Sequence, residues 1–166
     1  MDMRRRMRYL WLRVLRQKDE PERIAGGMAL GVFLGFLFPP GVQMIVALAL
    51  APLFRFNLLA SALGTWVTNP LTIPFIYPTA LSLGMYITGL DTHNESVPLE
   101  DERFWAFITD FRLHGRAAVL LGAGLLTMGA ASALPVYYAT KGAVFRFQRR
   151  RRKALGALKD TTRKGG

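Results

Sequence analysis

Two polar interruptions of apolar sequence carry the residues that could do chemistry. The first is residues 39–43 (PPGVQ) and the second is residues 68–72 (TNPLT). Proline is tolerated in the first turn of a helix, and an asparagine just before it can accept from unpaired N–H groups of that turn. We therefore predict that a helix starts again at each interruption, and that Asn69 accepts from the N–H of Leu71 or Thr72.

A helix that starts inside an apolar layer offers a site for an anion. Its first N–H groups lack partners, and its N-terminus carries about half a positive charge. Such an end must face protein or a wet cavity, and transporters bind charged substrates where broken helices meet. The residues predicted to line a ligand site are Gln43, Arg55, Asn57, Thr65, Thr68, Asn69 and Thr72. The predicted helix breaks are Pro39, Pro40, Gly41 and Pro70.

The same interruptions also have a purely structural interpretation. Two proline kinks would need no ligand if neighbouring helices satisfied them and if Thr65, Thr68 and Thr72 bonded back to carbonyl groups. Arg55 is equally open to two interpretations. It marks a loop if it lies at a membrane interface, whereas it could hold a phosphate or a carboxylate if it points inward.

The rest of the chain offers little catalytic chemistry. It has no cysteine, which excludes disulfides, thiol catalysis and cysteine metal sites. His93 and Glu95, with Asp91 nearby, could bind a metal loosely, but histidines in acidic loops are usually solvated. No acid/base pair lies within the apolar sequence, so we predict a protein that is not an enzyme and that uses neither metal nor cofactor.

Charged and apolar residues are segregated along the chain. The net charge is +11, although 51% of the residues are hydrophobic. Three blocks, residues 24–54, 56–90 and 117–140, contain no charged residue, and each exceeds the ~20 residues that cross a ~30 Å hydrocarbon layer. None has the polar face of a helix in a soluble domain. We predict an all-α, polytopic membrane protein with proline-broken helices that either bend or re-enter.

The flanking segments predict the orientation. We expect residues 1–18 to form a basic amphipathic interfacial helix, residues 19–140 a membrane domain that includes the acidic external loop 91–116, and residues 141–166 a cytoplasmic polybasic tail. The predicted membrane-surface residues are Arg4, Arg5, Arg8, Trp11, Arg149, Arg150, Arg151 and Arg152. The positive-inside rule places both termini in the cytoplasm. Two crossings with re-entrant segments and four complete crossings fit equally well.

The first membrane helix has a predicted start and a predicted packing face. Asp19 is the expected N-cap, and Pro21 lies in the first turn. Glycines repeat every fourth residue, which in lipid lets a second helix approach closely, although chance glycine enrichment would give the same string. This face is formed by Gly27, Gly31 and Gly35. Further along the chain, we expect Pro74 and Pro78 to interrupt the second block.

Several strings together resemble the DUF2062 family, a bacterial membrane domain of unknown function. They are PERIA (residues 21–25), ALGVFLG (29–35), Pro39, Gly41, Gln43, Asn57 and GTWVTNPLT (64–72). The similarity covers about residues 20–90. It implies a bacterial inner-membrane location, and relatives of the domain can be joined to glycosyltransferase-like domains. It implies no mechanism.

Two functions fit these observations. The first is a small permease, or a lipid- or anion-handling protein, with its site at the broken helices. The second is a non-catalytic scaffold or anchor that recruits an envelope-biosynthesis enzyme or organises anionic lipid through its basic ends. The expected partners are a bilayer with anionic lipids, a second copy of the chain and such an enzyme. We expect no nucleic acid.

Overall fold

The computed structural model describes residues 19–69, 71–90 and 115–164, and in this part of the chain all regular structure is helical. The elements are α1 (Pro21–Leu37), α2 (Val42–Leu53), α3 (Leu58–Gly64), a 3-10 turn (Thr65–Val67), α4 (Ile73–Thr88) and α5 (Gly115–Lys164). The predicted all-α class is therefore confirmed for these residues. The predicted interfacial helix 1–18 with Arg4, Arg5, Arg8 and Trp11, residue Pro70 and loop residues 91–114 lie outside the described part.

The ends of α1 follow from its local sequence. The predicted cap by Asp19 is wrong: the N-cap is Glu20, whose side chain makes no capping bond, and Pro21 occupies the first turn. At the other end the N–H of Phe38 still bonds to the Leu34 carbonyl, after which Pro39 and Pro40 have no N–H to donate. Gly41, at φ 98°, then begins α2 in a backbone conformation that residues with a Cβ rarely adopt.

The predicted interruptions at Pro74 and Pro78 are also wrong. Neither Pro74 nor Pro78 interrupts α4, which is continuous from Ile73 to Thr88. Pro74 lies in the first turn, where its missing N–H would have no helical partner anyway, and Pro78 removes only one bond of a long helix. The predicted polybasic tail begins within α5, which continues without interruption from Gly115 to Lys164. Arginine and lysine favour helix, so a change of charge does not end it.

Helix α1 packs antiparallel to α5, and the contact extends over the whole length of α1. Near the C-terminal end of α5, Gln148 Nε2 donates to the backbone carbonyl of Asp19 (2.9 Å), and Lys141 Nζ lies 3.1 Å from the Glu22 carboxylate. Nearer the middle of α5, Gly129 lies against Phe36. The start of α1 is therefore beside residues 141–148, and its end is beside residue 129.

Helix α4 continues along α5 where α1 stops. Gly84 lies against the backbone of Leu120, and Gly124 lies against the backbone of Ala80. These pairs also make α4 antiparallel to α5. Phe36 near the end of α1 and Ile73 at the start of α4 belong to one buried apolar cluster. The two helices therefore follow each other along α5, although the chain leaves between them to form α2 and α3.

The inserted segment is a helical hairpin packed on α1. The backbone N–H of Asn57, at the start of α3, donates to the carbonyl of Arg23 in α1 (3.0 Å), whereas Thr65 lies beside Gly35. Helix α3 thus rises alongside α1, and α2 must run back down to reach it. The tip of the hairpin at Arg55 lies level with the start of α1, and both its open ends lie level with the end of α1.

The glycine stripe of α1 is the contact face for this hairpin. A Cβ on Gly27 would meet the carbonyl of Asn57, a Cβ on Gly31 would meet that of Ser61, and a Cβ on Gly35 would lie 3.3 Å from the carbonyl of Thr65. The absence of side chains lets the two backbones touch. Because α3 covers the stripe, this face of α1 is not free to receive a second copy of the chain.

One segment of the described residues, Ala118–Arg151, is long and apolar enough to cross a membrane by itself. Three further apolar segments are shorter: Val42–Leu53, Leu58–Val67 and Ile73–Thr88. By length alone these short helices each fall below a full crossing.

Two glycines of α5 provide a matched test of this packing. Gly124→Ala would place a Cβ against the Ala80 carbonyl, and we expect a loss of about 1–3 kcal/mol because backbone must move. Gly122 has nothing within 4 Å of the position of its Cβ, so Gly122→Ala should be neutral or stabilising by up to about 1 kcal/mol. Thermal unfolding of the purified variants in detergent measures both. Equal effects would contradict the α4–α5 contact.

Candidate functional site

The break after α1 leaves a backbone carbonyl that the helix cannot satisfy. The carbonyl of Gly35 would normally accept from the N–H four residues later, but that residue is Pro39. The hydroxyl of Thr68 lies 2.7 Å from this oxygen and is buried. A side chain from the second interruption thus replaces the donor missing from the first.

Gln43 completes the same cluster from the first turn of α2. Its Nε2 donates to the carbonyl of Thr65 (2.9 Å) and lies 3.4 Å from that of Thr68, while its Oε1 is 2.7 Å from the Thr68 hydroxyl. The two carbonyls fix the orientation of the amide, because only the NH₂ group can face them. We call Gly35, Gln43, Thr65 and Thr68 the break cluster; all four are buried.

The start of α4 is satisfied locally. Asn69 Oδ1 accepts from the N–H of Leu71 (2.9 Å) and of Thr72 (3.2 Å), as the sequence predicts. The hydroxyl of Thr72 accepts from the Asn69 N–H (2.9 Å) and lies 2.8 Å from the carbonyl of Val67. These bonds form a separate turn, so α4 itself begins only at Ile73, later than predicted.

These contacts decide what the two breaks can bind. The backbone N–H groups of Asn69, Leu71 and Thr72 are already paired with the chain itself. The polar atoms of Gln43 and Thr68 face carbonyls and each other. An anion would have to displace these bonds, so the geometry favours the structural interpretation of the interruptions over a ligand site.

Asn57 lies away from the break cluster, at the tip of the hairpin. Its Oδ1 accepts from the Ala60 N–H (2.9 Å) and caps α3, and its Nδ2 donates to the carboxylate of Asp19. The carbonyl of Asp19 in turn accepts from Gln148 of α5 (2.9 Å). This chain of bonds ties the hairpin tip to both long helices, and it explains why Asp19 does not cap α1.

Arg55 forms the turn between α2 and α3. Its backbone has φ 57°, in the left-handed region. The N–H of Arg55 bonds to the Pro52 carbonyl (3.0 Å) and that of Phe56 to the Ala51 carbonyl (2.8 Å), a Schellman end of α2. The side chain is exposed. This position at an exposed turn favours the loop interpretation of Arg55 over an inward-facing anion ligand.

A groove that the sequence did not reveal lies between α1, the α3–3-10 segment and α5. It has a volume of about 540 Å³. Its lining is Met28, Val32, Leu63, Gly64, Trp66, Val67, Val136, Ala139, Thr140 and Ala143. Most of the lining residues that α5 contributes are small: Ala139, Thr140 and Ala143. A run of small residues in α5 is the only sequence signal for it, and that run alone does not show which helix it faces.

One hydroxyl group lies in this largely apolar lining. Thr140 is only 3% exposed, and its hydroxyl makes no hydrogen bond to any described residue. Beyond the groove, toward the end of α5, Arg146, Arg149, Arg150 and Arg151 are exposed. Within the described residues no group of three or more metal-binding side chains occurs. Asp91, His93 and Glu95, the weak metal candidates, lie outside the described part, as does the predicted break residue Pro70.

The chain belongs to the DUF2062 family. The family model, described as an uncharacterized protein conserved in bacteria, matches residues 4–153. The resemblance noted over residues 20–90 is therefore confirmed, and the match extends beyond it, back to residue 4 and forward through most of α5. No curated protein and no solved structure matches the chain.

The break cluster predicts a coupled loss of stability. Gln43→Leu leaves the buried Thr65 carbonyl without its donor, and Thr68→Val does the same to the carbonyl of Gly35, so each should destabilise by about 1–3 kcal/mol. The double variant should cost less than the sum of the two, because the single proton of the Thr68 hydroxyl is shared between the Gly35 carbonyl and Gln43 Oε1, both 2.7 Å away, so both variants alter one network. Thermal unfolding in detergent provides the double-mutant cycle.

Thr79→Val is the matched control for this cycle. Thr79 also bonds to a backbone carbonyl, that of Phe75 (2.6 Å), but it is exposed and lies within one helix. We expect a change below about 0.5 kcal/mol, as for surface substitutions in general. Additive effects of Gln43→Leu and Thr68→Val, or a similar loss in the control, would show that the breaks are not joined through these side chains.

Proposed function

We propose that this DUF2062 chain is an integral protein of the bacterial inner membrane that binds and handles an amphiphilic lipid. The first support is the amount of apolar surface that the fold leaves uncovered. Large apolar side chains are exposed on α2, on α4 and around it, and on α5, among them Ile45 (71%), Leu71 (84%), Phe75 (75%), Leu134 and Tyr138. Soluble monomers rarely expose contiguous apolar surface of this kind, whereas lipid would cover it.

The positions of the charges support a specific placement. The uncharged part of α5, residues 117–140, has its centre near Gly129, about 18 Å along the helix from Lys141. Gly129 lies against Phe36, just before the break. The ion pair between Lys141 and Glu22 would then lie at the cytoplasmic interface, and the break cluster would lie near the midplane. Its mutual hydrogen bonds are what backbone at that depth requires.

This placement favours two net crossings over four. Helices α1 and α4 would together form one crossing, interrupted at the midplane, and α5 would form the other. The α2–α3 hairpin would return from the midplane to the cytoplasmic interface, where Arg55 can reach water. Both termini would be cytoplasmic, and residues 91–114 would lie outside.

The observation that carries the lipid-handling role is the apolar groove. In the proposed placement, the groove lies in the cytoplasmic half of the bilayer. Trp66, which lines it, is exposed, so the groove would be open to lipid on that side. An apolar groove of about 540 Å³ suits an acyl chain. The breaks, which the sequence indicated as the site, have their polar groups occupied. We therefore propose that the lipid is handled at the groove, without catalysis and without a metal or cofactor.

A scaffold remains the second candidate, and the length of α5 favours it. The helix continues to Lys164, about 35 Å beyond Lys141. This extension carries Arg149, Arg150, Arg151 and Arg152. A cationic rod at the membrane surface would attract anionic lipid and could recruit an envelope-biosynthesis enzyme. Because α3 covers the glycine stripe of α1, a second copy of the chain would have to bind elsewhere, and this extension is one available surface.

Single cysteines test the topology, because the natural chain has none. We expect Val42→Cys, at the start of α2, to resist a membrane-impermeant maleimide from either side. Arg55→Cys should react only after the cytoplasmic face is opened, and His93→Cys should react in intact cells. Four complete crossings would instead place residue 42 outside. Labelling of Val42→Cys in intact cells would therefore contradict the re-entrant hairpin.

Lipid handling is tested by filling the groove. Ala139 lines it and is exposed at its open side, so Ala139→Phe should occupy the space without disturbing the core. We expect the purified protein to retain lipid in native mass spectrometry and the variant to lose most of it. Ala131→Phe, also exposed on α5 but outside the lining, is the matched control. Equal lipid retention by both variants would refute binding at the groove.

A further inference from the structure

We propose that the groove selects an anionic phospholipid of the cytoplasmic leaflet, with its phosphate at Arg146 and Arg150 and an ester carbonyl at the hydroxyl of Thr140. This inference rests on the proposed function, because it names the class of lipid that the groove would hold. It also assigns a ligand role to Thr140 and Arg146, which the sequence analysis did not single out, and a specific one to Arg150, which was predicted only to lie at the membrane surface.

The unpaired hydroxyl of Thr140 is the first observation. A threonine within a helix can bond back to the carbonyl four residues earlier, as Thr79 and Thr127 do here. Thr140 is more deeply buried than either but has no such bond and no other partner among the described residues. A buried hydroxyl without a partner is costly. An acceptor on a bound ligand would remove that cost.

Charge at one end of the groove is the second observation. Ala139, Ala143, Arg146 and Arg150 are spaced by four, three and four residues, so they share one face of α5. The two arginines therefore continue the groove lining toward the cytoplasmic end of the helix. Both are exposed, and neither is paired with a described carboxylate.

The carboxylates on the facing helix do not compete for these arginines. Glu22 pairs with Lys141, and the carboxylate of Asp19 accepts from Asn57. The exposed Glu20 forms no ion pair with a described arginine. The positive charge of Arg146 and Arg150 thus remains available to an anionic group. Arginine also binds phosphate well, since its planar donors can engage two oxygens at once.

The order of these groups matches the order of groups in a phospholipid. From the cytoplasmic end inward, the face presents guanidinium, hydroxyl and then apolar wall. A phospholipid presents phosphate, ester carbonyl and then acyl chain. Thr140 lies about 9 Å along the helix from Arg146, and the apolar end of the groove, at Val67 and Trp66, lies toward the break cluster. Inorganic phosphate would lack the chain, and a zwitterionic lipid would lack the net charge.

Trp66 provides a probe inside the groove. The chain has three tryptophans, at positions 11, 66 and 105. In a Trp11→Phe/Trp105→Phe background, the fluorescence of Trp66 alone reports contact with brominated acyl chains. The full-length protein is reconstituted in phosphatidylcholine vesicles that contain a small fraction of either brominated phosphatidylglycerol or brominated phosphatidylcholine. We expect clearly stronger quenching by the anionic lipid at the same mole fraction.

Variants then separate the two polar contacts. Arg146→Gln/Arg150→Gln should lower the apparent affinity for brominated phosphatidylglycerol about tenfold or more, because each contact involves a charged group. Thr140→Val keeps the shape of the side chain but removes its hydroxyl. We expect it to weaken the binding of brominated phosphatidylglycerol several-fold without lowering thermal stability. The matched control is Arg149→Gln/Arg151→Gln, which removes the same amount of charge from arginines that lie off the face of α5 shared by Arg146 and Arg150.

The outcomes distinguish this inference from the proposed function. Equal quenching by the two lipids in the parent protein, or an equal loss in both double-arginine variants, would overturn anionic selection while leaving the chain embedded in lipid. If Thr140→Val leaves the quenching unchanged, the proposed contact between the Thr140 hydroxyl and a lipid ester is wrong. Absence of quenching by either lipid would overturn the placement of Trp66 in the bilayer, and with it the proposed function.

Discussion

The fold depends on one constraint: a helix that stops inside an apolar bundle must have its last carbonyls satisfied by another part of the chain. Pro39 removes the donor for the Gly35 carbonyl, and the hydroxyl of Thr68 takes its place. Gln43 then holds the segment that carries Thr68 by donating to the Thr65 carbonyl. The helix can therefore end at this depth because residue 68, after the α2–α3 hairpin, lies close enough to bond to the Gly35 carbonyl.

The return of the chain creates the rest of the architecture. Helices α2 and α3 fill the interval between leaving and returning, and the glycine stripe of α1 lets α3 lie directly against it. Asn57 closes the other end of the hairpin through Asp19, which is itself bonded to Gln148 of α5. The hairpin is thus fixed at its tip and at its open ends. Helix α4 can then take over along α5 where α1 stops.

The same hairpin accounts for the groove. Because α3 and the 3-10 turn lie on one side of α1 and α5 lies on another, a groove remains between them where the lining residues of α5 are small, as Ala139 and Ala143 are. The polar atoms of the break residues already form hydrogen bonds to the backbone and to one another. What remains for a ligand is an apolar wall, the hydroxyl of Thr140 and the cationic face of α5. This division of roles is the basis of the proposal for a phospholipid.

The sequence by itself determined the features that depend on neighbouring residues. These include the helical class, the end of α1 before its prolines, the bonds of Asn69 to the following turn, the segregation of charge and the resemblance to DUF2062. Only the tertiary structure decided that Asp19 binds Asn57 instead of capping α1, that α3 covers the glycine stripe, and that a groove exists. Those outcomes join residues far apart in the chain, as Asp19 and Gln148 are, separated by 129 positions. Local propensity fixes where a helix can begin or end, but packing fixes which distant group satisfies it.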